Sequence, residues 1–150
     1  MQTVYSQNMN PAFAGMLADL SVKTVDSRAA QGEISLGFGV VGGTNPEKQV
    51  KVPSGNITGF QGVALHQAKE QDASGKVTYK DKDTVPVLTK GRAWVPVIGA
   101  VAYDGDVYLI HTGANAGKFT GSAGANQGQV GGAKFKTSTS TDGLAVLELK

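Results

Sequence analysis

The chain contains no cysteine, a single tryptophan, two histidines and no long apolar run. Without cysteine there are no disulfides, thiolate metal ligands or thiol nucleophiles, so stability has to come from packing or from assembly. No apolar stretch approaches the ~20 residues that a membrane-spanning helix needs. The opening residues, Met1-Gln2-Thr3-Val4-Tyr5-Ser6-Gln7, have neither a basic nor an apolar region, so no signal peptide is expected. A dominant charge is missing too. Fourteen Lys and Arg against twelve Asp and Glu leave a formal charge of +2, too even for binding built on phosphate neutralisation, which uses a basic stripe. Neither nucleic acid nor a membrane is expected as a partner.

What the chain has in excess is glycine, 21 of 150 residues, about twice the ~7% average. Long helices are thereby disfavoured, since each interior Gly costs about 1 kcal/mol relative to Ala. A length of 150 residues with 40% hydrophobic content suits one domain, which buries roughly 68–70% of its unfolded surface. From Val22 onward short runs of Val, Ile, Phe and Thr alternate with Gly, Asn, Asp and Pro, which predicts an all-β domain. Strands are expected near 22–27, 33–41, 48–52, 57–65, 84–89, 92–98, 106–111, 117–120, 133–137 and 144–149. Many short strands without intervening helices favour a sandwich, jelly roll or small barrel over a parallel sheet. Lys90-Gly91, between two β-rich runs, reads as a hairpin turn, and Asp104-Gly105-Asp106 as a second. Pro86 and Pro96 point to edge positions or bulges, because proline cannot donate to a ladder. Residues 113–132 hold seven glycines and only Phe119 and Val130 as large apolar groups; they read as a flexible excursion with little area to offset its entropy.

The motifs that suggest chemistry fail on context. Gly37-Phe38-Gly39-Val40-Val41-Gly42 has dinucleotide-fingerprint spacing, but Gly43-Thr44-Asn45-Pro46 follows it instead of a helix. A strand with close backbone packing is the better reading. Gly113 to Lys118 is one residue short of a phosphate loop, and Phe119 stands where a hydroxyl should hold Mg²⁺. His66 and His111 lie 45 positions apart with no ligand at i+2 or i+4 on a shared face. No catalytic, cofactor-binding or metal-ligating residue is assigned. The first 20 residues are polar with scattered large apolar groups and read as an N-terminal arm, with one short helical turn at Met16 to Leu20, ahead of a β domain over 21–150. Little local structure is available to bury Tyr5, Met9, Phe13 and Met16, so they are candidates for packing on another chain. Trp94, in the best strand, is a candidate interface anchor beside its core alternative.

The order of segments resembles the structural cement, or decoration, proteins of tailed-bacteriophage capsids. The resemblance runs through Gly15-Met16-Leu17-Ala18-Asp19, Gly32-Glu33-Ile34-Ser35-Leu36-Gly37-Phe38-Gly39-Val40-Val41 and Phe60-Gln61-Gly62-Val63-Ala64-Leu65. It continues through the whole of Asp83 to Val95, Gly105-Asp106-Val107-Tyr108-Leu109, Gly132-Ala133-Lys134-Phe135 and Asp142 to Leu149. It implies a β-sandwich or jelly-roll-like protein, without catalytic residues, made in the host bacterial cytoplasm. Such a protein binds the major capsid protein on the outer surface of the virion and bridges neighbouring capsomers, as a homo-oligomer with dimer favoured and trimer possible. The alternative is an all-β glycan-binding or adhesion module displayed on the virion, a role for which five Phe, four Tyr and one Trp are few.

Overall fold

The computed structural model describes residues 12–67, 73 and 77–150. Among them are the strands β1 (Thr24–Ala30), β2 (Ile34–Ser35), β3 (Gly39–Gly42), β4 (Gln49–Lys51), β5 (Phe60–Ala64), β6 (Thr78–Tyr79), β7 (Thr84–Ile98), β8 (Asp106–Ile110), β9 (Phe119–Thr120), β10 (Gln127–Phe135) and β11 (Gly143–Leu149), and no helix. The all-β expectation therefore holds, and the pairings specify the architecture further. β1, β4, β3, β5 and β7 form one closed ring; β7, β11, β10, β8 and β9 form a second, and the two share β7. Strands that alternate direction around a ring of odd number must leave one parallel pair. Here those pairs are β1 with β4 and β7 with β9, while every other contact is antiparallel. Closure removes most sheet edges, which an all-β chain would otherwise have to protect.

One strand serves two rings because of a phase shift at its middle. Val85 and Val87 point into the first core, with Ala30, Ile34, Val40, Val50, Ala64 and Tyr79. Leu88, Ala93, Val95 and Val97 point into the second, with Leu109, Phe119, Phe135 and Leu147 among others. The register against β1 jumps from Val25↔Leu88 to Thr24↔Lys90, so Thr89 is an extra residue. A bulge of this kind moves the following side chains to the opposite face. Gly91, at φ +124°, lies just past it, where a Cβ would come within 2.9 Å of Lys23. The Lys90-Gly91 hairpin is thus corrected: a glycine beside a break in alternation marks a bulge within a 15-residue strand. The turn at Ala102–Gly105 is also no hairpin, since β7 and β8 are not neighbours.

Neither proline lies on an edge strand, and the fold accommodates each separately. The Leu65 amide donates to the Pro86 carbonyl at 2.8 Å, but Pro86 has no N–H to return to the Leu65 carbonyl. The buried Tyr79 hydroxyl supplies that missing donor. On β7, Arg92 and Trp94 bond to residues 15–18, and Pro96 follows in the same alternation where that segment has turned away.

Glycine 113–132 is also corrected, from a flexible excursion to part of the second ring. Phe119 is fully buried, Val130 nearly so, and both lie in β9 and β10. The glycines there let the rings approach. A Cβ on Gly117 would sit 2.3 Å from the Phe38 ring, and one on Gly39 within 2.8 Å of both Leu109 and Phe119. The Gly37–Gly42 motif is therefore a close-packed strand, as its context indicated. Gly37 itself turns the chain at φ +79°, which splits the expected strand 33–41 into β2 and β3.

Candidate interaction surface

The flank of β7 is covered in succession by β1, by residues 15–18 and by β9. The middle piece is held by three backbone bonds: Gly15 N–H to Trp94 O at 2.8 Å, Trp94 N–H to Met16 O at 2.8 Å, and Ala18 N–H to Arg92 O at 3.0 Å. Leu17, opposite Ala93, packs against the second core. The helical turn expected at Met16–Leu20 is corrected for this reason: the backbone groups of 15–18 are satisfied by β7 instead of by one another. The boundary expected at residue 20 falls just beyond this paired segment.

Of the candidate contact residues, Tyr5 and Met9 lie outside the described residues. The structure brings the other three together. Trp94 and Met16 are both half-buried and share the backbone bond above. Phe13 is 48% exposed and meets the His66 ring edge-on at 4.5 Å between centroids. His66 is fixed there because its amide donates to the Gly15 carbonyl at 2.8 Å. Trp94 faces away from the core-directed Ala93 and Val95, on the side that carries Pro96 and Ile98 of β7 and, across the pair, Leu144 and Val146 of β11. Trp94, Pro96, Ile98 and Leu144 thus form a half-buried apolar strip along the outside of β7 and β11, with Val146 buried beneath it.

Beside this strip is a row of alternating charge. Asp106, Lys134, Glu148 and Arg92 stand opposite one another across β8, β10, β11 and β7. Lys134 meets Asp106 at 2.7 Å, Arg92 meets Glu148 at 2.7 Å, and Arg92 also reaches Asp19 at 3.3 Å. Lys136 and Asp104 pair alongside at 2.9 Å. Hydrogen bonds from Ser21, with Arg92 nearby, hold the Asp19 carboxyl below its usual range, and the bond to Glu148 pushes the Arg92 guanidinium up. Asp104 is lowered by Lys136, and Lys134 and Lys136 are raised by Asp106 and Asp104. Sequence reasoning missed the contact of Asp19 with Arg92 and of His66 with Phe13. No local pattern announces either, because each joins residues more than fifty positions apart.

This surface offers apolar area and ion pairs. Among the described residues no three His, Cys, Asp or Glu side chains gather as a metal site. His111 Nδ1 lies 2.8 Å from the Thr112 hydroxyl.

The sequence matches, over residues 1–150, the family model described as structural cement protein (E217 gp24/Pam3 gp6). Comparison with curated proteins returns no match. Among solved structures the fold is similar to a chain of "The capsid of Myoviridae Phage XM1", with a TM-score of 0.80 and 20% identity, covering 100% of this chain and 97% of that one. At that identity the likeness concerns the fold.

Proposed function

This chain belongs to the phage structural cement protein family, and from that premise we propose that it binds the outer surface of the assembled shell and bridges neighbouring capsomers. The observation that carries the reading is the extent of the family match, which includes the arm as well as the rings. The role is structural, with the virion as its location and the major capsid protein as its partner. A protein that binds the assembled lattice and not its free subunits stabilises the lattice by RT ln(1 + [L]/Kd) at each site, about 2.7 kcal/mol at 100 times Kd. Oligomerisation, with a dimer favoured, adds avidity because a second contact becomes intramolecular. A near-neutral formal charge of +2 suits a partner made of protein.

In this reading residues 1–20 are the gripping arm and the rings are the body. Tyr5, Met9, Phe13, Met16 and Trp94 are the proposed contact residues. The body presents the arm's inner end in fixed geometry, because Gly15 and Ala18 are hydrogen-bonded to β7. The test is co-sedimentation of the purified protein with expanded shells that lack it, counted as copies per major capsid protein. Saturation at a fixed ratio is expected, and absence of binding would overturn the cement role. Removing residues 1–14 should abolish sedimentation with shells and leave a folded body; retained binding would take the grip away from the arm.

A further inference from the structure

Residues 15–18 and β1 lie on the same flank of β7, and between them the chain leaves that flank over Asp19–Lys23. Here it exposes Leu20 at 94% and Val22 at 77%. These are the two most exposed large apolar residues among the described ones. The excursion is pinned at its base. The Asp19 carboxylate accepts the Ser21 amide at 2.9 Å and meets Arg92, which is itself bonded to Glu148. Ser21 and Val22 line a small open cleft with Lys90, Gly91, Arg92, Glu148, Leu149 and Lys150. Apolar side chains held on an anchored loop bind with less ordering cost than those on a free one.

The charges around the knob indicate what it meets. Lys23, Lys90, Arg92 and Lys150 outnumber Asp19 and Glu148 by four to two. Among the described residues the ion pairs here use Arg92 and Lys150, and Lys23 and Lys90 take part in none. A two-fold contact centred on this patch would set one cation-rich surface against an equally cation-rich one, and like charges at an interface oppose association. A second copy of this chain is therefore a poor occupant.

We propose that the Asp19–Lys23 knob is a shell-docking element, whose Leu20 and Val22 enter an apolar socket rimmed by carboxylates on the capsid shell, with Lys23 and Lys90 as the paired cations. This rests on the cement reading and adds a contact outside the arm residues assigned above. Burying each of two aliphatic side chains contributes on the order of tenfold in affinity or more.

The experiment titrates full-length protein onto expanded shells that lack it, with the free protein's sedimentation coefficient and melting curve measured in parallel. L20A/V22A is expected to bind at least tenfold more weakly, with unchanged sedimentation and melting. K23E/K90E is expected to weaken binding as well and to flatten its salt dependence. Y103A, which truncates an exposed aromatic on the β7–β8 turn, away from the knob, should bind as the unmodified protein does. Unmodified affinity in L20A/V22A while the parent binds overturns the knob and leaves the cement reading standing. A parent protein that fails to bind shells overturns both. A drop in oligomeric state for L20A/V22A assigns the knob to self-association and overturns the shell as its occupant.

Discussion

The two rings share a strand yet are stabilised differently. The first is filled by valines, alanines, Ile34 and one polar aromatic, Tyr79, whose hydroxyl completes the ladder where Pro86 cannot. The second is filled by Phe119, Phe135 and several leucines, and its outer face carries the charge row from Asp106 to Arg92. Its ion pairs lie on the surface, where screening keeps them weak. The first ring therefore has its electrostatic sensitivity inside, at a buried hydroxyl, and the second has it outside. Alkali should act chiefly on the former, and acid on the latter.

The largest effect tests whether the rings are one cooperative unit. Gly62, at φ +148°, lies against β7 so closely that a Cβ would be 2.0 Å from the Leu88 carbonyl oxygen. Because this clash is with backbone at the junction strand, Gly62→Ala should cost more than ~4 kcal/mol and yield little folded protein on expression. Next come the cores. Phe119→Ala in the second ring should cost about 3–5 kcal/mol, and Ile34→Ala in the first about 2–5 kcal/mol. Both variants should show one denaturant transition displaced to lower midpoint. Two separated transitions in either variant would show that the rings unfold independently despite sharing β7.

The third prediction sharpens the difference at high pH. Burial, with Asp83 nearby, pushes the Tyr79 hydroxyl up to about 12. A raised folded value means that this stability is fully present below the unfolded value near 10 and is lost as pH rises through about 12. The loss is ~3 kcal/mol, read as falling urea midpoints across that window. Tyr79→Phe should remove much of that slope, and at neutral pH it should cost about 1–3 kcal/mol by leaving the Leu65 carbonyl unpaired.

The smallest effect is at low pH. Asp19 and Asp104 are held below their usual value of 3.8. Their contribution is thus present above pH 3.8 and lost as pH falls through the lower folded values. Asp19→Asn and Asp104→Asn should each slightly reduce the fall in melting temperature between neutral and acid pH. Asp19→Asn should also loosen the 19–23 excursion, detectable as faster amide exchange there.

The fold class was legible because alternation and glycine spacing are local. The expected strands correspond to β1, β4, β5, β8, β9 and β11 within a few residues. β6 was missed because two residues, Thr78 and Tyr79, carry no period, and β10 began earlier than expected because Gly128, Gly131 and Gly132 mask it. Of the surface, the sequence marked Phe13 and Met16 as apolar groups short of local cover, and Trp94 as an interface anchor or a core residue. It could not mark His66, Asp19 or Arg92 as their neighbours.

Composition and order alone determined that this protein is all-β and without cysteine chemistry. Those properties follow from side-chain chemistry and from periods of two. Only the tertiary structure decided that Gly91 continues a strand, that a bulge at Thr89 turns one strand toward two cores, and that glycines 39 and 117 let the rings touch. A glycine permits a turn, a bulge or a close approach with equal ease, and what distinguishes them is the neighbour that arrives from elsewhere in the chain.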